Sequence, residues 1–407
     1  MEETDETGTA GATETVDRTG VANELAELTE RLVAIPSHED ETAAGDVIEA
    51  WLRAETDATV ERDAVGNVIA YQRGPDGDTA PDGSDGGPDE ADAVDTLALV
   101  GHHDVVPPAE RQTTGEGTAG EYVVERRDGR IHGRGSADMK GAVAACLLAF
   151  RDATPPPGRE LAVASFVGEE VGGEGARHAI DAGFVPNHAL VAEGSTDYSK
   201  PGVTDVAVAH KGRRASTLVA TGTAAHASEP EAGENAVYRA CDAVAVVREL
   251  DAPTATVFGE SVTGSVVVTK LHGGETWNAV PDRCTVTIDE RTVPGDRADI
   301  SRATDAVPGV EWTVDQDLPP MACRDATFAD AALDAARAVH ADRGLDTPEH
   351  VVKPHATDAG WLSAAGTAAV VCGPSEPGEA HTDTESVSIG VLERCYETYR
   401  ELAEREW

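Results

Sequence analysis

From Thr96 onward the sequence alternates short apolar runs with stretches of helical periodicity. The apolar runs at 96–101, 160–167 and 188–192 predict strands, and the segments near 139–152 and 174–183 predict amphipathic helices between them. Strands that alternate with helices typically form a parallel sheet whose faces the helices cover. The sequence therefore predicts an α/β fold with a mixed, largely parallel sheet flanked by helices.

The pattern changes after Lys200. Strands are predicted at 204–210, 213–221, 264–271, 284–291 and 310–315, with helices at 234–250 and 298–305. Beyond about residue 317 the α/β pattern returns, with helices near 328–343, 357–365 and 386–403 and a buried strand at 368–372. We therefore predict a catalytic domain formed by residues 1–201 and 318–407 and interrupted by a smaller α+β domain at 202–317. Within the first part, residues 1–20 are expected to be a disordered tail and 73–95 an acidic insertion.

The charge of the chain excludes several classes of partner. Asp and Glu total 75 against 32 Lys and Arg, so the formal net charge is -43. A surface of this sign repels nucleic acids and anionic membranes, and neither is an expected partner. Because salt screens charge repulsion, so large an excess suits a salt-rich cytosol, and we expect a halophilic source.

Other features bear on the compartment. No apolar stretch approaches the roughly 20 residues that span a bilayer, and the first residues lack the basic and apolar regions of an export signal. The six cysteines are dispersed without a CxxC pair, which indicates reduced thiols. Together these features predict a cytoplasmic protein.

The first strand of the α/β pattern is followed by a histidine and an acid, His102 and Asp104. In open α/β sheets, ligands bind beyond the carboxyl ends of the strands, which is where these residues fall. Side chains two residues apart in an extended segment point the same way, so Asp104 can orient an imidazole that binds a metal ion. An ordinary strand-end turn that happens to contain histidine is the alternative.

Further acids and a second histidine follow strands or close loops. Glu169 and Glu170 follow the strand at 160–167, Glu193 follows the strand at 188–192, Asp138 ends a glycine-rich loop, and His381 follows the strand at 368–372. Imidazoles combined with carboxylates form a nitrogen and oxygen set typical of zinc, cobalt or manganese, and one carboxylate can bridge two ions. As alternatives, Asp138 can be only a helix N-cap, and adjacent glutamates occur by chance in so acidic a chain.

In the order and type of these motifs, the chain resembles the M20 family of metallopeptidases and deacylases. The motifs lie at 101–107, 133–141, 166–173, 190–194 and 379–385, and the resemblance covers nearly the whole sequence. It implies two divalent ions, preferably zinc, with cobalt or manganese as further candidates. One ion is implied at His102, Asp138 and Glu193, and the other at Asp138, Glu170 and His381. The resemblance also implies that Asp104 steadies His102 and that Glu169 is the general base and later the general acid.

The resemblance extends to the smaller domain, which in this family is a lid that can also form a dimer. Residues 222–228 match a motif whose histidine, His226 here, stabilises the tetrahedral intermediate and in dimeric relatives belongs to the other subunit. The match at 273–281 places Asn278 near the substrate, and Arg291 matches an arginine that binds a substrate carboxylate. As alternatives, His226 caps a helix, Asn278 holds a turn and Arg291 pairs with Asp289.

The implied activity is that of a dinuclear metal-dependent hydrolase in which a metal-activated water cleaves an amide bond. The expected substrate is a small N-acyl amino acid, of the N-acetylornithine or N-succinyl-diaminopimelate type used in amino-acid biosynthesis. A dipeptidase or carboxypeptidase, acting on short peptides, uses the same centre and is the first alternative. A non-catalytic metal- or ligand-binding relative is the alternative of another class, but it requires a missing ligand or base, and none is missing. We also expect a homodimer formed through the lid.

Overall fold

The computed structural model describes residues 18–75, 95–114 and 120–407. The predicted tail at 1–20 and the predicted insertion at 73–95 lie outside the described residues, except at their ends. The helices are α1 (Arg18–Val33), α2 (Thr42–Glu55), α3 (Gly141–Asp152), α4 (Glu174–Asp181), α5 (Ala236–Arg248), α6 (Arg302–Ala306), α7 (Ala326–Asp342), α8 (Asp358–Ala365) and α9 (Ile389–Glu404). Within the described ranges, none of these helices combines the length and the apolar character needed to cross a membrane.

The strands are numbered in chain order. Those before α5 are β1 (Thr59–Arg62), β2 (Val68–Arg73), β3 (Asp95–His102), β4 (Thr113–Thr114), β5 (Glu121–Tyr122), β6 (Glu125–Arg127), β7 (Arg130–His132), β8 (Arg159–Phe166), β9 (His188–Val191), β10 (Val206–His210), β11 (Gly212–Thr221) and β12 (Ala225–His226). Those after α5 are β13 (Thr254–Val257), β14 (Glu260–Thr263), β15 (Ser265–Gly273), β16 (Ala279–Val280), β17 (Arg283–Thr292), β18 (Val310–Leu318), β19 (Met321–Ala322), β20 (His350–Lys353), β21 (Ala368–Val371) and β22 (Ser386–Ser388).

The larger sheet has the order β1-β2-β8-β3-β9-β21-β10-β19, with β20 paired to β10. Its centre, β8-β3-β9-β21, is parallel throughout. On the flanks, β1, β2, β10 and β19 pair antiparallel with their neighbours, whereas β20 runs parallel to β10. The predicted α/β fold with a mixed, largely parallel sheet is therefore confirmed.

Helices cover both faces of the larger sheet, as the alternation of side chains along β3 requires. Leu97 and Leu99 belong to a core cluster that includes residues of α1, α3, α7 and α9. Ala98 and Val100 point to the other face and join a cluster with residues of α4 and α8. Because neither face meets solvent, the buried middle residues of the central strands, such as 97–100 of β3, are apolar.

A separate antiparallel sheet has the order β15-β17-β11-β18. Helices α5 and α6 cover one of its faces and bury a third core cluster that includes Leu218, Val286 and Ile288. The residues of β11 accordingly alternate between buried and partly exposed. The fold thus has a larger, mixed sheet domain and a separate antiparallel sheet domain, while the limits 1–201, 202–317 and 318–407 stay predictions.

Two local details differ from the predictions. The strand predicted at 204–210 as part of the insert pairs instead with the larger sheet through β20, β21 and β19. All five residues of β10 are buried, which is typical of a strand covered on both faces and not of the half-covered lid sheet. The helix predicted near 139–152 is present and begins at Gly141, because Asp138 (φ -132°, ψ 94°) and Met139 (φ -135°, ψ 32°) have non-helical backbone angles.

Candidate metal centre

Three parallel neighbours of the larger sheet bring candidate site residues to one edge. His102 is the last residue of β3, Glu169 and Glu170 follow the end of β8, and Glu193 follows β9. In the register, His102 of β3 lies opposite Phe166 of β8, so the strands end at the same level. The carboxyl ends of parallel strands therefore bring these four residues together, as predicted from their positions in the sequence.

The two remaining candidates come from loops. Asp138 lies in the turn between β7 and α3, where its backbone N–H donates to Oε1 of Glu385 at 3.1 Å. His381 lies in the loop after β21 with a positive φ of 64°. Its carbonyl oxygen accepts from a guanidinium nitrogen of Arg134 at 3.5 Å. Neither residue is placed by regular secondary structure, so contacts between the loops determine where the two side chains point.

The five predicted ligands form two groups that share Asp138. In one group, Nε2 of His102 lies 3.2 Å from Oδ1 of Asp138 and 3.4 Å from Oε1 of Glu193. In the other, Nε2 of His381 lies 3.2 Å from Oδ2 of Asp138 and 3.0 Å from Oε1 of Glu170. Asp138 thus presents one oxygen to each imidazole, which is the arrangement expected of a carboxylate that bridges two ions.

The two groups differ in their access to solvent. The side chains of His102 and Glu193 are 1% and 10% exposed, whereas that of His381 is 50% exposed. The imidazole of His381 is surrounded by acids, and its hydrogen bonds with Asp138 and Glu170 raise its pKa to about 10. Burial acts to raise the pKa of Asp138, but hydrogen bonds from both imidazoles outweigh it and hold the pKa well below its usual range.

Asp104 supports both the histidine and the glutamates, as its predicted steadying role requires. Its Oδ1 lies 3.2 Å from Nδ1 of His102. The same carboxylate accepts the backbone N–H of Glu169 at 3.1 Å and of Glu170 at 3.0 Å. A single buried side chain therefore fixes the ring of His102 and the backbone that carries the two glutamates.

Glu169 stands beside the donor groups in a strongly negative environment. Burial is the main cause that raises its pKa well above the usual value, His102 opposes this effect, and the charges of Glu193, Asp358 and Asp138 add to it. The side chain nevertheless keeps partial contact with solvent. A carboxyl group with a raised pKa binds a proton more readily near neutral pH, which suits a group that accepts and returns one.

Residues that sequence reasoning missed also contact or surround the centre. Lys353, at the end of β20, lies 3.2 Å from Oε2 of Glu193 and is itself buried. Burial acts to lower its pKa, but Glu193 and other neighbours outweigh it and raise the pKa, so the ammonium stays charged. Little in the sequence indicates a role for Lys353: it is one of five lysines, and the two valines before it are too short an apolar run to predict a strand that ends at the site. Glu385 accepts the backbone N–H of Asp138, and only its nearness to His381 in the sequence pointed to such a role.

The predicted lid residues lie on the second sheet domain, apart from the donor groups. His226 is exposed and its Nδ1 lies 2.7 Å from Oγ of Ser228. Asn278 joins the same region, because its carbonyl accepts the N–H of Ala227 at 2.9 Å. Arg291 donates to Oδ1 of Asp289 at 2.8 Å, the pairing foreseen as its alternative. Across the described ranges, none of the three has a hydrogen bond or ion pair with the donor groups.

The chemistry of the donor set fits divalent cations. Three carboxylates and two imidazoles converge in two groups whose ligand atoms lie within 4.8 Å of one another. Buried carboxylates this close repel each other unless a cation neutralises them. Oxygen and nitrogen donors without thiolates suit zinc, cobalt or manganese and exclude a structural thiolate site.

Comparisons with known proteins agree with this geometry. Residues 98–405 match the sequence profile of "Peptidase family M20/M25/M40". The chain is 28% identical over 324 residues to an acetylornithine deacetylase of Myxococcus xanthus, covering 74% of this chain and 77% of that one. It is 29% identical over 343 residues to a probable carboxypeptidase of Aspergillus terreus, covering 78% and 72%.

A solved structure shows the same fold. The crystal structure of aminopeptidase PepT from Bacillus cereus superposes with a TM-score of 0.72 at 19% identity, covering 94% of this chain and 99% of that one. The resemblance seen in the motifs is therefore confirmed over most of the sequence. The chain belongs to the peptidase family M20/M25/M40.

Proposed function

We propose that this M20 hydrolase is a dinuclear metal-dependent deacylase that cleaves the amide bond of a small N-acyl amino acid, of the N-acetylornithine or N-succinyl-diaminopimelate type. One observation carries the proposal: the two oxygens of Asp138 each lie 3.2 Å from a different imidazole, His102 on one side and His381 on the other. A carboxylate shared in this way suits a pair of cations held in one cleft.

The chain's residues would hold one ion at His102, Asp138 and Glu193, and the other at Asp138, Glu170 and His381. Bound divalent ions, with zinc the first candidate, supply Lewis acidity that makes water nucleophilic near neutral pH and polarises the substrate carbonyl. His102 and Glu193 are largely buried, so an ion held by them would be shielded from solvent. The side chain of His381 is half exposed, so an ion held there would be the more accessible one.

Glu169 is the proposed proton carrier. The attacking water forms a bond to the carbonyl carbon and gives a proton to the Glu169 carboxylate. The carbon–nitrogen bond then breaks, and Glu169 returns that proton to the leaving nitrogen, so the products are a carboxylic acid and a free amine. Asp104 keeps Glu169 in place through the backbone hydrogen bond at 3.1 Å.

The lid residues complete the proposal. We assign to His226 a role in stabilising the tetrahedral intermediate, to Asn278 a contact with the substrate, and to Arg291 the binding of a substrate carboxylate. His226 is exposed and pairs only locally, with Ser228, among the described residues. An exposed imidazole is available to the site of another subunit, which supports a homodimer formed through the lid.

A carboxypeptidase is the second candidate, because the probable carboxypeptidase of Aspergillus terreus is as similar in sequence as the deacetylase. Both reactions cleave an amide next to a carboxylate and use the same centre. They differ in the group on the acyl side, which is a small acid in one and an amino acid or peptide in the other.

Purified protein, loaded with zinc, cobalt or manganese in high salt, tests the proposal. It is assayed with N-acetylornithine, N-succinyl-diaminopimelate and a panel of dipeptides. We expect turnover of an N-acyl amino acid with kcat/KM well above that of any dipeptide. The opposite ranking would favour the peptidase.

The Glu169→Gln variant is the matched control for chemistry. It keeps the size of the side chain and removes its ability to carry the proton, so we expect both ions to bind while kcat falls about 10²–10⁴-fold. Full turnover by this variant would eliminate Glu169 as the proton carrier. A wild-type protein that binds two ions but hydrolyses no compound of the panel would support the non-catalytic relative.

A further inference from the structure

The two carboxylate oxygens of Glu193 contact different neighbours, one a histidine and the other a lysine. Its Oε1 lies 3.4 Å from Nε2 of His102, inside the buried donor group. Its Oε2 lies 3.2 Å from Nζ of Lys353, on the other side. One oxygen therefore faces the metal position while the second is engaged by a permanent cation.

Lys353 is held firmly enough to impose this division. Its side chain is 8% exposed, and Nζ also donates to the carbonyl oxygen of Gly194 at 2.9 Å. The backbone of Lys353 lies in the larger sheet, where β20 pairs with β10 and its carbonyl accepts the N–H of Lys211 at 3.1 Å. If this ammonium moved away, the buried carboxylate of Glu193 would lose its counter-charge, and leaving a buried charge unpaired is energetically costly.

Within the described part of the chain, the second donor group has no such partner. Across the described ranges, the only basic side chain in ion-pair distance of Glu170 is His381, itself a predicted ligand, at 3.0 Å. No lysine or arginine there engages the other oxygen of Glu170. The two glutamates that flank Asp138 are thus of one residue type but differ in how many oxygens they can offer.

We propose that Lys353 is a positioning residue that restricts Glu193 to donating a single oxygen to the ion held with His102 and Asp138. This inference rests on the proposed dinuclear centre. A carboxylate that used both oxygens would fill one more coordination position and carry its full negative charge at the ion. By engaging Oε2, Lys353 keeps that position open for the reacting groups of the substrate.

For the affinity of the first metal ion, this proposal predicts the opposite of what a merely structural role for Lys353 would predict. Removing a structural support loosens a ligand and weakens metal binding. Removing Lys353 instead frees the second oxygen of Glu193 and takes away a positive charge that repels the ion. The first ion should then bind at least as tightly as before, while turnover falls because the open position is lost.

Cobalt(II) is the probe, since its visible absorption reports coordination number. Lys353→Met removes the charge at similar size, and Lys353→Arg restores a cation. Lys200→Met is the matched control, because Lys200 also pairs with a glutamate, Glu349, at 3.2 Å, but on the surface. Each protein is titrated with cobalt(II), its absorption recorded at one and two equivalents, and kcat and KM measured with the substrate that the panel identifies.

For Lys353→Met we expect unweakened binding of the first cobalt ion, a weaker visible absorption because the coordination number is higher, and a kcat about 10–100-fold lower with little change in KM. Lys353→Arg should recover most of the wild-type spectrum, and Lys200→Met should match the wild type. If Lys353→Met does not fold, Lys353→Gln carries the same test.

Weaker binding of the first ion with an unchanged spectrum would overturn the proposal and leave Lys353 a structural residue. So would a spectrum and a kcat equal to those of the wild type. The spectra need no substrate. A wild-type protein that binds two cobalt ions but has no hydrolytic activity therefore contradicts the proposed function alone, and the spectra still decide the role of Lys353.

Discussion

Arg134 and Glu385 form an ion pair whose side chains are 4% and 0% exposed. The carboxylate oxygen of Glu385 that Arg134 does not engage, Oε1, accepts the backbone N–H of Ala137 at 3.0 Å and of Asp138 at 3.1 Å. Arg134 also reaches the carbonyl oxygen of His381 at 3.5 Å. This pair links the loop that carries the proposed bridging carboxylate to the loop that carries the exposed imidazole.

Glu385→Gln should therefore affect both stability and metal binding. The substitution leaves the guanidinium of Arg134 buried without its counter-charge, which costs about 3–5 kcal/mol of unfolding free energy. Because the loop of His381 loses its anchor, we expect the ion held by His381 to bind more weakly than the ion held by His102. Denaturant unfolding measures the first effect, and metal titration measures the second.

Glu376→Gln is the control on the same loop. Glu376 pairs with Arg130 at 3.3 Å, but both side chains are one-quarter exposed. An exposed pair contributes about 0–1 kcal/mol, so this variant should keep nearly full stability and bind both ions. Equal losses in the two variants would show that the loop, and not the contact with Asp138, accounts for the effect.

Asp104 is the second residue whose substitution should reach both donor groups. In the wild type, the carboxylate of Asp104 accepts the backbone N–H groups of Glu169 and Glu170 at 3.1 and 3.0 Å. An asparagine at this position keeps one acceptor oxygen but turns an NH₂ group toward one of these two N–H groups, so one hydrogen bond is lost. We expect Asp104→Asn to lower metal affinity or turnover about 10–100-fold, since residues that orient ligands have effects of this size. Metal titration and steady-state kinetics check it.

Asp63→Asn is the matched control for that substitution. The carboxylate of Asp63 also accepts backbone N–H groups, those of Val65, Gly66 and Asn67, at 2.9–3.1 Å. It supports a turn between β1 and β2, where it also accepts from Nδ2 of Asn67 at 2.6 Å, and among the described residues it has no hydrogen bond of its own with Glu169, Glu170 or the donor groups. Its substitution should cost some stability without changing metal binding. An Asp104→Asn protein that behaves like the control would remove Asp104 from the positioning role.

Much of the centre could be predicted because it follows from regular structure. Parallel strands end at one edge, so His102, Glu169, Glu170 and Glu193 converge once the strands are recognised. Asp138 and His381 are different, because their side chains are directed by contacts between loops. Only the resemblance to a family indicated which ligand group each one joins, and nothing local in the sequence does so.

The missed features have physical causes as well. Lys353 is the last residue of a strand of only four residues, which is too short for a periodic pattern to reveal. The strand at 206–210 is buried throughout and apolar up to His210. The prediction grouped it with the strand that follows it in sequence instead of with the buried strands it resembles. A strand buried on both faces has consecutive apolar residues, as 206–209 do, whereas β11 mixes polar and apolar residues. This difference can be read from the sequence.

The net charge of -43 predicts that stability depends on salt. Repulsion among 75 acidic side chains exceeds the attraction they gain from 32 basic ones, so screening should stabilise the folded state. We expect the melting temperature to rise with potassium chloride, steeply at first because the screening length is already about 10 Å at 0.1 M. Sucrose at equal osmolality is the control. A melting temperature independent of potassium chloride would contradict both this prediction and the halophilic source.

Because His210 is buried, we expect the free energy of unfolding to fall in mild acid. It is the last residue of β10 and fully buried, with Nε2 3.2 Å from Oγ1 of Thr357 and Nδ1 3.1 Å from the carbonyl oxygen of Lys211. Burial lowers the pKa of its imidazole from 6.5 to about 4. The unfolded chain therefore takes up a proton below pH 6.5 that the folded chain refuses until about pH 4, so acid favours the unfolded state.

The resulting loss is about 2 kcal/mol of unfolding free energy between pH 7 and pH 5, and roughly 3 kcal/mol once the folded group is protonated. His210→Gln should start from a lower stability at pH 7 and lose less than the wild type on acidification, because glutamine does not titrate. His272→Gln, at an exposed position of β15, should lose as much as the wild type. Denaturant unfolding of metal-free protein at both pH values in constant salt separates these outcomes, and equal losses in all three proteins would show that His210 does not control the acid sensitivity.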